Sequence, residues 1–374
     1  MKEVRVGVLG AAGTIAPAII RDLAESDEVG SLLLLDRDEE RMTAVAERHV
    51  PSDFDLGVAA VDANDGLAVA LEGCDILVNS ASYRMNLTVM QACLEAGCHY
   101  IDLGGLYWLT ADQQAMNDEF HQAGLLALLG MGSSPGKTNV MARRACRELT
   151  GSDSGPVESI DVIAGGRDLT PPDGFSAPYA VRTLIDELTL APIVIRDGEP
   201  VEVEPLSSGG VIDFPEPIGP AESIHTIHSE MRTFGESFGC RTGAFKLSLA
   251  PALLEKLREL TTASQEEQDR VGRSALPPSA GTVSIHMIDA ATAEGSGCRV
   301  TAITSPIEAW GLGGGVISTA APAAAAVRLI ARGAIDATGA MPPERCVDPD
   351  DLFPELEQRS CRFEVQTTTR EVSS

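Results

Sequence analysis

The sequence predicts an α/β protein with a doubly wound parallel sheet and a second, α+β domain whose sheet is mainly antiparallel. Short apolar runs alternate with helical segments over the first 150 residues, a pattern typical of parallel sheets with helices on both faces. From residue 151 the pattern changes to short alternating strands, with a hairpin turn at Asp197-Gly198. At 374 residues the chain is long enough for two hydrophobic cores.

The first βαβ unit carries a glycine turn. An apolar run over residues 4–9 leads directly into Gly-Ala-Ala-Gly-Thr-Ile at residues 10–15, and a helix and a second apolar run ending on Asp36 follow. Gly10 permits a tight exit from the strand, and Gly13 lets backbone N–H groups approach a pyrophosphate at the helix N-terminus. Asp36 is placed to accept hydrogen bonds from the ribose hydroxyls of an adenosine. This order predicts the dinucleotide site of a Rossmann domain, with a purely structural turn as the alternative.

Other strand ends are expected to line the same crevice. Asp62-Ala63 is predicted near the adenine, the loop at residues 79–83 near the middle of the cofactor, and Asp102 and Lys137 towards the nicotinamide. Each of these segments could instead be a solvated turn. The candidate cofactor-binding residues are Gly10, Ala12, Gly13, Thr14, Ile15, Asp36, Arg37, Asp62, Ala63, Asn79, Ser80 and Ala81.

The choice of nicotinamide cofactor depends on Asp36 and Arg37. The Asp36 carboxylate favours a free ribose and repels a 2′-phosphate, whereas Arg37 can pair with that phosphate if its side chain turns inward. The sequence therefore predicts NAD, with NADP as the alternative.

Composition narrows the classes of partner. The formal charge is −27, from 55 acidic and 28 basic residues, which argues against nucleic acid or an anionic membrane as partner. The eight cysteines form no C-x-x-C pair and lie in apolar segments, as in reduced intracellular proteins. No signal peptide or membrane span is expected, so we expect a cytoplasmic protein.

The domain boundaries follow from the changes in pattern. An alanine-rich apolar helix over residues 316–331 has to be buried, and we place it against the first domain. The sequence thus predicts a discontinuous dinucleotide-binding domain, residues 1–150 and 311–374, and a substrate or dimerisation domain over residues 151–310. Residues 265–280 are expected to form a polar surface loop.

A polar segment of the second domain contains His225, His228, Glu230 and Arg232. Its H-x-x-H spacing lacks the glutamate of H-E-x-x-H and a third ligand, so no metal site is expected. The segment is expected to face the cleft between the domains, where acid–base chemistry and carboxylate binding would occur. An exposed, polar helix start is the alternative.

Several of these segments together resemble the saccharopine dehydrogenase-like family, particularly its lysine 6-dehydrogenase branch. The resemblance rests on the following segments: the glycine turn, residues 73–79, residues 96–102, residues 130–139 with Ser134-Pro-Gly136, Pro205-Leu206, His225-Thr226, and residues 339–344. Two positions depart from the saccharopine-forming members. Ser134 stands where those members carry an aspartate, and Gln91 lies near the point of their proposed catalytic lysine. Both departures favour a smaller amine than saccharopine.

The resemblance implies an NAD(P)-dependent oxidoreductase, usually a homodimer, that acts on a C–N bond of an amino acid or diamine. The reaction would be oxidative deamination, as in lysine 6-dehydrogenase, or the reverse reductive amination. Alternatives are a non-redox enzyme with resident NAD, resembling polyamine synthases, and a non-catalytic NAD(H) sensor. The candidate catalytic residues are Asp102, His225 and Glu230, and the candidate substrate-binding residues are Tyr83, Lys137, Arg232 and Arg241.

Overall fold

A computed structural model of the chain describes residues 3–369. The chain divides into two compact units. Within the described residues, the first unit contains residues 3–137 and the segment Thr319–Leu356, and the second contains Thr138–Ser318 and residues 357–369.

Strands and helices alternate regularly only in the first part of the chain. In chain order the strands are β1 (Val4–Leu9), β2 (Val29–Asp36), β3 (Asp55–Ala60), β4 (Ile76–Asn79), β5 (His99–Asp102), β6 (Leu126–Leu128), β7 (Ser159–Asp168), β8 (Ile193–Arg196), β9 (Glu199–Glu202), β10 (Ser208–Asp213), β11 (Pro220–His225), β12 (Thr242–Ser248), β13 (Thr282–Ala291), β14 (Gly297–Thr304), β15 (Gly339–Met341) and β16 (Cys361–Thr368). The helices are α1 (Ala16–Ala24), α2 (Glu39–His49), α3 (Leu67–Ala70), α4 (Asn86–Ala96), α5 (Tyr107–Gln114), α6 (Asn117–Ala123), α7 (Lys137–Thr150), α8 (Val181–Thr189), α9 (Glu230–Phe238), α10 (Pro251–Thr261), α11 (Gln265–Ser274), α12 (Gly314–Ala331), α13 (Pro343–Cys346) and α14 (Pro349–Glu357).

The first unit contains a seven-stranded parallel sheet in the order β15-β6-β5-β4-β1-β2-β3. Its central strands are buried apolar runs, as strands covered by helices on both faces require. Strands β2 and β3 lie on one side of β1, and β4, β5 and β6 lie on the other. The order in which strands are added therefore reverses between β1 and β4, and the carboxyl ends of these two parallel strands flank a topological switch point. The predicted doubly wound sheet is confirmed.

The segment that returns to the first unit contains β15 and most of α12. Within residues 3–369, α12 is the one helix whose length and hydropathy would suit a membrane span, and 78% of its apolar window is buried in the protein. Burial of this kind is typical of a core helix. Arg328, near the end of α12, is also buried and bonds to Asp22 on α1.

The second unit contains a nine-stranded sheet with the main order β10-β11-β12-β7-β13-β14-β16, and the β8–β9 hairpin joins it at β12. Strands β12 and β7 run parallel, whereas β11–β12, β7–β13 and β13–β14 are antiparallel. The predicted mainly antiparallel sheet is confirmed.

Two observations differ from the expected organisation of the chain. We expected residues 311–374 to complete the first domain, but β16 pairs with β14 along eight positions and so adds a strand to the second sheet. We expected a loop over residues 265–280, but α11 occupies its first ten residues. Ser264 caps α11 by accepting a hydrogen bond from the Glu267 backbone N–H. Because α11 buries none of its side chains, it gives no apolar periodicity for sequence analysis to find.

Candidate active site

The glycine turn of the first unit lies between β1 and α1. Gly10 has a φ of +80°, and a β-carbon there would lie 2.6 Å from the backbone nitrogen of Ala81. Its carbonyl accepts a hydrogen bond from the Gly13 N–H at 2.9 Å, while Gly13 and Thr14 are exposed. Ala12 is buried, and Ile15 forms the N-cap of α1. The turn therefore brings backbone without bulky side chains to a helix N-terminus, the kind of position where a pyrophosphate binds.

Asp36 ends β2 beside this turn. Its carboxylate accepts hydrogen bonds from three backbone N–H groups, those of Ala12 at 3.1 Å, Arg37 at 2.7 Å and Asp38 at 3.2 Å. The carboxylate is thereby fixed next to the glycine turn, whereas Arg37 is exposed. The glycine turn and this oriented acid fit an adenosine dinucleotide.

Asp62 and Ala63 follow β3 near the same edge of the sheet. Asp62 is exposed, and hydrogen bonds from the Asn64 backbone and side chain lower the pKa of its carboxyl. Ala63 is partly buried. The pair therefore offers a short, charged surface turn after β3.

The loop after β4 packs against the glycine turn. Asn79 is buried, donates to Asn86 Oδ1 at 3.0 Å, and accepts from the Ala81 N–H at 3.1 Å. Ser80 donates to the Leu9 carbonyl at 2.8 Å. Asn79 and Ser80 thus hold the loop in place, and backbone atoms of Ser80 and Ala81 leave no room for a β-carbon at position 10. In the next turn, the Arg84 guanidinium lies 4.7 Å from the centre of the Tyr83 ring.

Asp102 is a buried anchor at the end of β5. One of its oxygens accepts the N–H groups of Gly104 at 2.8 Å and Gly130 at 2.7 Å. The other accepts the side-chain amides of Gln113 at 2.6 Å and Asn86 at 3.2 Å. Burial raises the pKa of the Asp102 carboxyl, and the hydrogen bonds from Gln113, Tyr100 and the backbone oppose that rise. These bonds use the carboxylate to join β5, α5 and the loop after β6.

The loop after β6 is tightly packed before α7 begins. Pro135 lies against Gly104 and Gly130, where a β-carbon would approach its ring to 2.8 and 2.7 Å, respectively. Lys137 is buried at the start of α7, and its N–H donates to the Gly132 carbonyl at 2.9 Å. This segment, predicted to lie towards the nicotinamide, is therefore a rigid part of the first unit.

A buried polar cluster occupies the second unit. Glu230, the first residue of α9, has no exposed surface and accepts a hydrogen bond from the Thr138 hydroxyl at 2.9 Å. Its other oxygen lies 3.5 Å from Nδ1 of His228, a side chain that is 7% exposed. The His228 ring stacks on Phe245 of β12. Thr138 directly follows Lys137 in the chain.

Glu187, on α8, extends this cluster. It is buried and accepts a hydrogen bond from the Tyr179 hydroxyl at 2.6 Å. Burial raises the pKa of the Glu187 carboxyl, and the charge of His228 offsets part of that rise. Burial and the charge of Glu187 also raise the pKa of Tyr179.

The charges within the cluster shift the pKa values of His228 and Glu230 in opposite directions. Burial opposes the charged form of His228, but the hydrogen bond and charge of Glu230, together with Glu187, outweigh it and raise the pKa of this imidazole. For Glu230, burial is outweighed by His228 and by the hydrogen bond from Thr138, so its carboxyl pKa is lowered. His228 and Glu230 therefore form a buried pair with a basic imidazole and an ionised carboxylate, an arrangement suited to proton transfer.

Three other predicted residues of the second unit, His225, Arg232 and Arg241, bond to residues outside the cluster of His228, Glu230 and Glu187. His225 ends β11, and its Nδ1 lies 3.2 Å from the Ser207 hydroxyl; burial and Lys246 lower its pKa. Arg232 donates to Glu236 one turn further along α9. Arg241 is an exposed side chain that pairs with Asp197 at 2.9 Å.

Sequence analysis named His228 only as part of the H-x-x-H spacing and not as a candidate site residue, and it missed Glu187 and Tyr179. For His228 a signal existed, since a histidine two residues before a helix-starting glutamate can turn back onto that carboxylate. Glu187 and Tyr179 lie about 40 and 50 residues upstream, and only the packing of α8 and the residues just before it brings them to this cluster.

The parallel sheet and its glycine turn define a class of protein, the α/β proteins with a dinucleotide-binding domain. Residues 6–128 match the sequence profile of the saccharopine dehydrogenase NADP binding domain. This match confirms the resemblance to the saccharopine dehydrogenase-like family over the nucleotide-binding part of the chain.

Individual relatives and one solved structure are also similar to this chain. A carboxyaminopropylagmatine dehydrogenase of Synechocystis sp. is 27% identical over 278 residues, which cover 71% of this chain and 68% of the relative. A carboxynorspermidine synthase of Vibrio cholerae is 29% identical over 101 residues, 24% of either chain. The solved structure of saccharopine dehydrogenase (L-Glu forming) from Saccharomyces cerevisiae superposes with a TM-score of 0.69 at 14% identity, covering 98% of this chain and 100% of that one, and so shows the shared fold.

Proposed function

We propose that the protein is an NAD(P)-dependent oxidoreductase that acts on a C–N bond of a polyamine-related amine or an amino acid. The observation that carries the proposal is the buried His228–Glu230 pair, supported by Glu187 and Thr138. A redox reaction at a C–N bond needs a proton acceptor for the amine as well as a hydride acceptor, and this pair can move a proton in a site that excludes water.

The charge states of His228 and Glu230 determine the role of each residue in the proposed reaction. A bound nicotinamide would accept the hydride from the carbon that bears nitrogen. His228 takes the proton that the amine loses, and in the reverse, reductive direction it returns that proton. Glu230 stays ionised, orients the imidazole and stabilises its charged form, as the acid partner of a catalytic histidine does. Asp102, whose oxygens are occupied by donors from three elements, serves as a positioning residue in this scheme.

The choice of substrate class rests on the relatives. The Synechocystis enzyme is named for agmatine that carries a carboxyaminopropyl group, and the Vibrio enzyme for carboxynorspermidine. We therefore place carboxylated polyamines and their precursors ahead of lysine, the substrate of the branch that the sequence resembles. The net charge of −27 supports a cationic substrate, because a negative surface attracts cations.

A direct spectrophotometric assay tests this function. The purified protein is incubated with NAD or NADP and with L-lysine, agmatine, putrescine or carboxynorspermidine, and NAD(P)H is followed at its near-ultraviolet band. We expect saturable reduction of the nucleotide with at least one amine. Conversion of an amine with no change in NAD(P)H would instead indicate resident NAD, and nucleotide binding with no conversion at all would contradict the proposal. The expected homodimer and cytoplasmic location stay predictions for light scattering and cell fractionation.

Asp36 is expected to make NAD the preferred cofactor. Its carboxylate is held by three backbone N–H groups, so it cannot swing away from a 2′-phosphate without losing them. We expect Asp36→Ser to raise kcat/KM for NADP relative to NAD by at least about tenfold, since removing one charge repulsion is worth roughly 1–2 kcal/mol. Arg37→Ala is the control and is expected to weaken NADP more than NAD. An unchanged cofactor ratio in Asp36→Ser would show that another residue selects the cofactor.

A further inference from the structure

The first unit exposes a tryptophan at the edge of the sheet where ligands bind. Trp108 is 56% exposed and lies in α5, a few residues beyond the carboxyl end of β5. In a doubly wound sheet the carboxyl ends of the strands border the ligand crevice. The indole is the largest apolar side chain, and more than half of it is left in contact with water at this edge.

The structure holds this indole in a defined orientation. The ring of Tyr107, itself 5% exposed, packs edge-on against Trp108, with the ring centres 4.7 Å apart and an angle of 77° between the planes. Further along α5, Gln113 donates to the buried Asp102 carboxylate at 2.6 Å. That bond ties α5 to the end of β5, so Trp108 is presented by a rigid element rather than by a free loop.

We propose that Trp108 is a specificity-determining residue that packs its indole face against the cationic amine chain of the substrate. This inference rests on the proposed function, and it adds the group that would recognise a long, positively charged amine. Ammonium and guanidinium groups are attracted to the negative face of an indole, and their methylene chains gain apolar contact there. The net charge of −27 adds a long-range attraction for the same cations.

The tryptophan content of the chain gives a direct test that does not require turnover. The chain has two tryptophans, Trp108 and Trp310. In Trp310→Phe the fluorescence comes from Trp108 alone, and in Trp108→Phe it comes from Trp310 alone. Each variant is titrated with agmatine, spermidine or L-lysine without nucleotide, and with NaCl at equal ionic strength. We expect saturable quenching or a spectral shift in Trp310→Phe with at least one amine, and only the NaCl response in Trp108→Phe.

Kinetics provide the second measurement. Trp108→Leu is expected to raise KM for the amine by about tenfold, the strength of a desolvated cation–π contact, while KM for the nucleotide stays within about twofold. Trp108→Phe, which keeps an aromatic face, is expected to lose less. Because the side chain is mostly exposed, the thermal unfolding midpoint of both variants is expected to stay near that of the wild type.

The outcomes separate this inference from the proposed function. Amine turnover with a silent Trp108 and an unchanged KM in Trp108→Leu overturns the role of Trp108 and leaves the function intact. A Trp108 response to amines with no turnover keeps the binding role and contradicts the proposed reaction. A response that follows protein concentration instead of amine concentration assigns the indole to a contact with a second copy. A response to NAD or NADP alone assigns the indole to cofactor binding. Either result, self-association or cofactor binding, overturns the proposed role of Trp108.

Discussion

Replacing His228 with asparagine is expected to lower kcat by about 10²–10⁴-fold, the usual contribution of a general acid–base group. The imidazole is buried, stacked on Phe245 and 3.5 Å from the Glu230 carboxylate, so no water or neighbouring residue can easily replace its proton transfer. Initial rates at saturating amine and nucleotide measure the effect. The binding of NAD, followed by calorimetry, is expected to stay close to that of the wild type.

His225→Asn is the matched control. His225 lies three residues upstream and is only half-buried, and its ring contacts the Ser207 hydroxyl rather than a carboxylate. We expect this variant to change kcat by less than about threefold. If His225→Asn removes activity and His228→Asn does not, His225 is the acid–base group, as the sequence alone predicts, and the role of His228 in our proposal is wrong.

The pH profile gives an independent measure of the His228–Glu230 pair. His228 accepts a proton only when neutral, and its pKa is raised above the ordinary 6.5 by Glu230 and Glu187 against the effect of burial. Oxidation is therefore expected to rise with pH through an apparent pKa above 6.5, and the reductive direction to fall through the same range. Glu230→Gln removes the charge that raises the pKa, so the rise in oxidation should move to lower pH while kcat falls. A profile that does not move would separate Glu230 from the titrating group.

The sequence predicts the fold of the first unit well because its signals are local. A buried parallel strand needs a continuous apolar run, and the glycine turn and Asp36 adjoin such runs directly in the chain. In the second unit the strands pair between distant segments. Strand β16 follows residues of the first unit in the chain, yet it pairs with β14 some 60 residues earlier. No local pattern in residues 361–368 indicates which sheet has the free edge.

The candidate site likewise has one part that local sequence predicts and one part that depends on tertiary packing. Asp36 and the glycine turn follow from chemistry that adjacent residues require, whereas the His228 cluster depends on α7, α8 and α9 packing together. Sequence analysis singled out Asp102 for its place at a strand end. The structure surrounds its carboxylate with donors from Gly104, Gln113 and Gly130, which is the environment of a buried anchor. The sequence can place a residue such as Asp102 at the end of a strand, but tertiary packing determines which groups its side chain bonds to.

The first unit depends on a buried ionic network, and Arg328→Met is expected to lower its free energy of unfolding by about 3–5 kcal/mol. Arg328 is 3% exposed and donates to Asp22 at 2.8 Å and to Glu355 at 2.6 Å. Methionine keeps most of the side-chain volume but withdraws the positive charge from two buried carboxylates. The cost therefore comes mainly from Asp22, which loses its bond to Arg328, and less from Glu355, which keeps its pair with Arg332. Urea unfolding of the variant measures this cost.

Two further variants establish that the loss comes from unpaired buried charge. Arg21→Met removes the ion pair with Glu25 on the surface of the same unit, where the side chains are 30% and 35% exposed, and is expected to cost less than about 1 kcal/mol. Arg328→Met combined with Asp22→Leu and Glu355→Met removes the buried charges together with their partner and should recover much of the loss. Arg332 also pairs with Glu355, at 2.6 Å, and keeps Glu28 in the triple variant. If Arg328→Met costs no more than Arg21→Met, the network contributes little, and apolar packing alone holds the returning segment in the first unit.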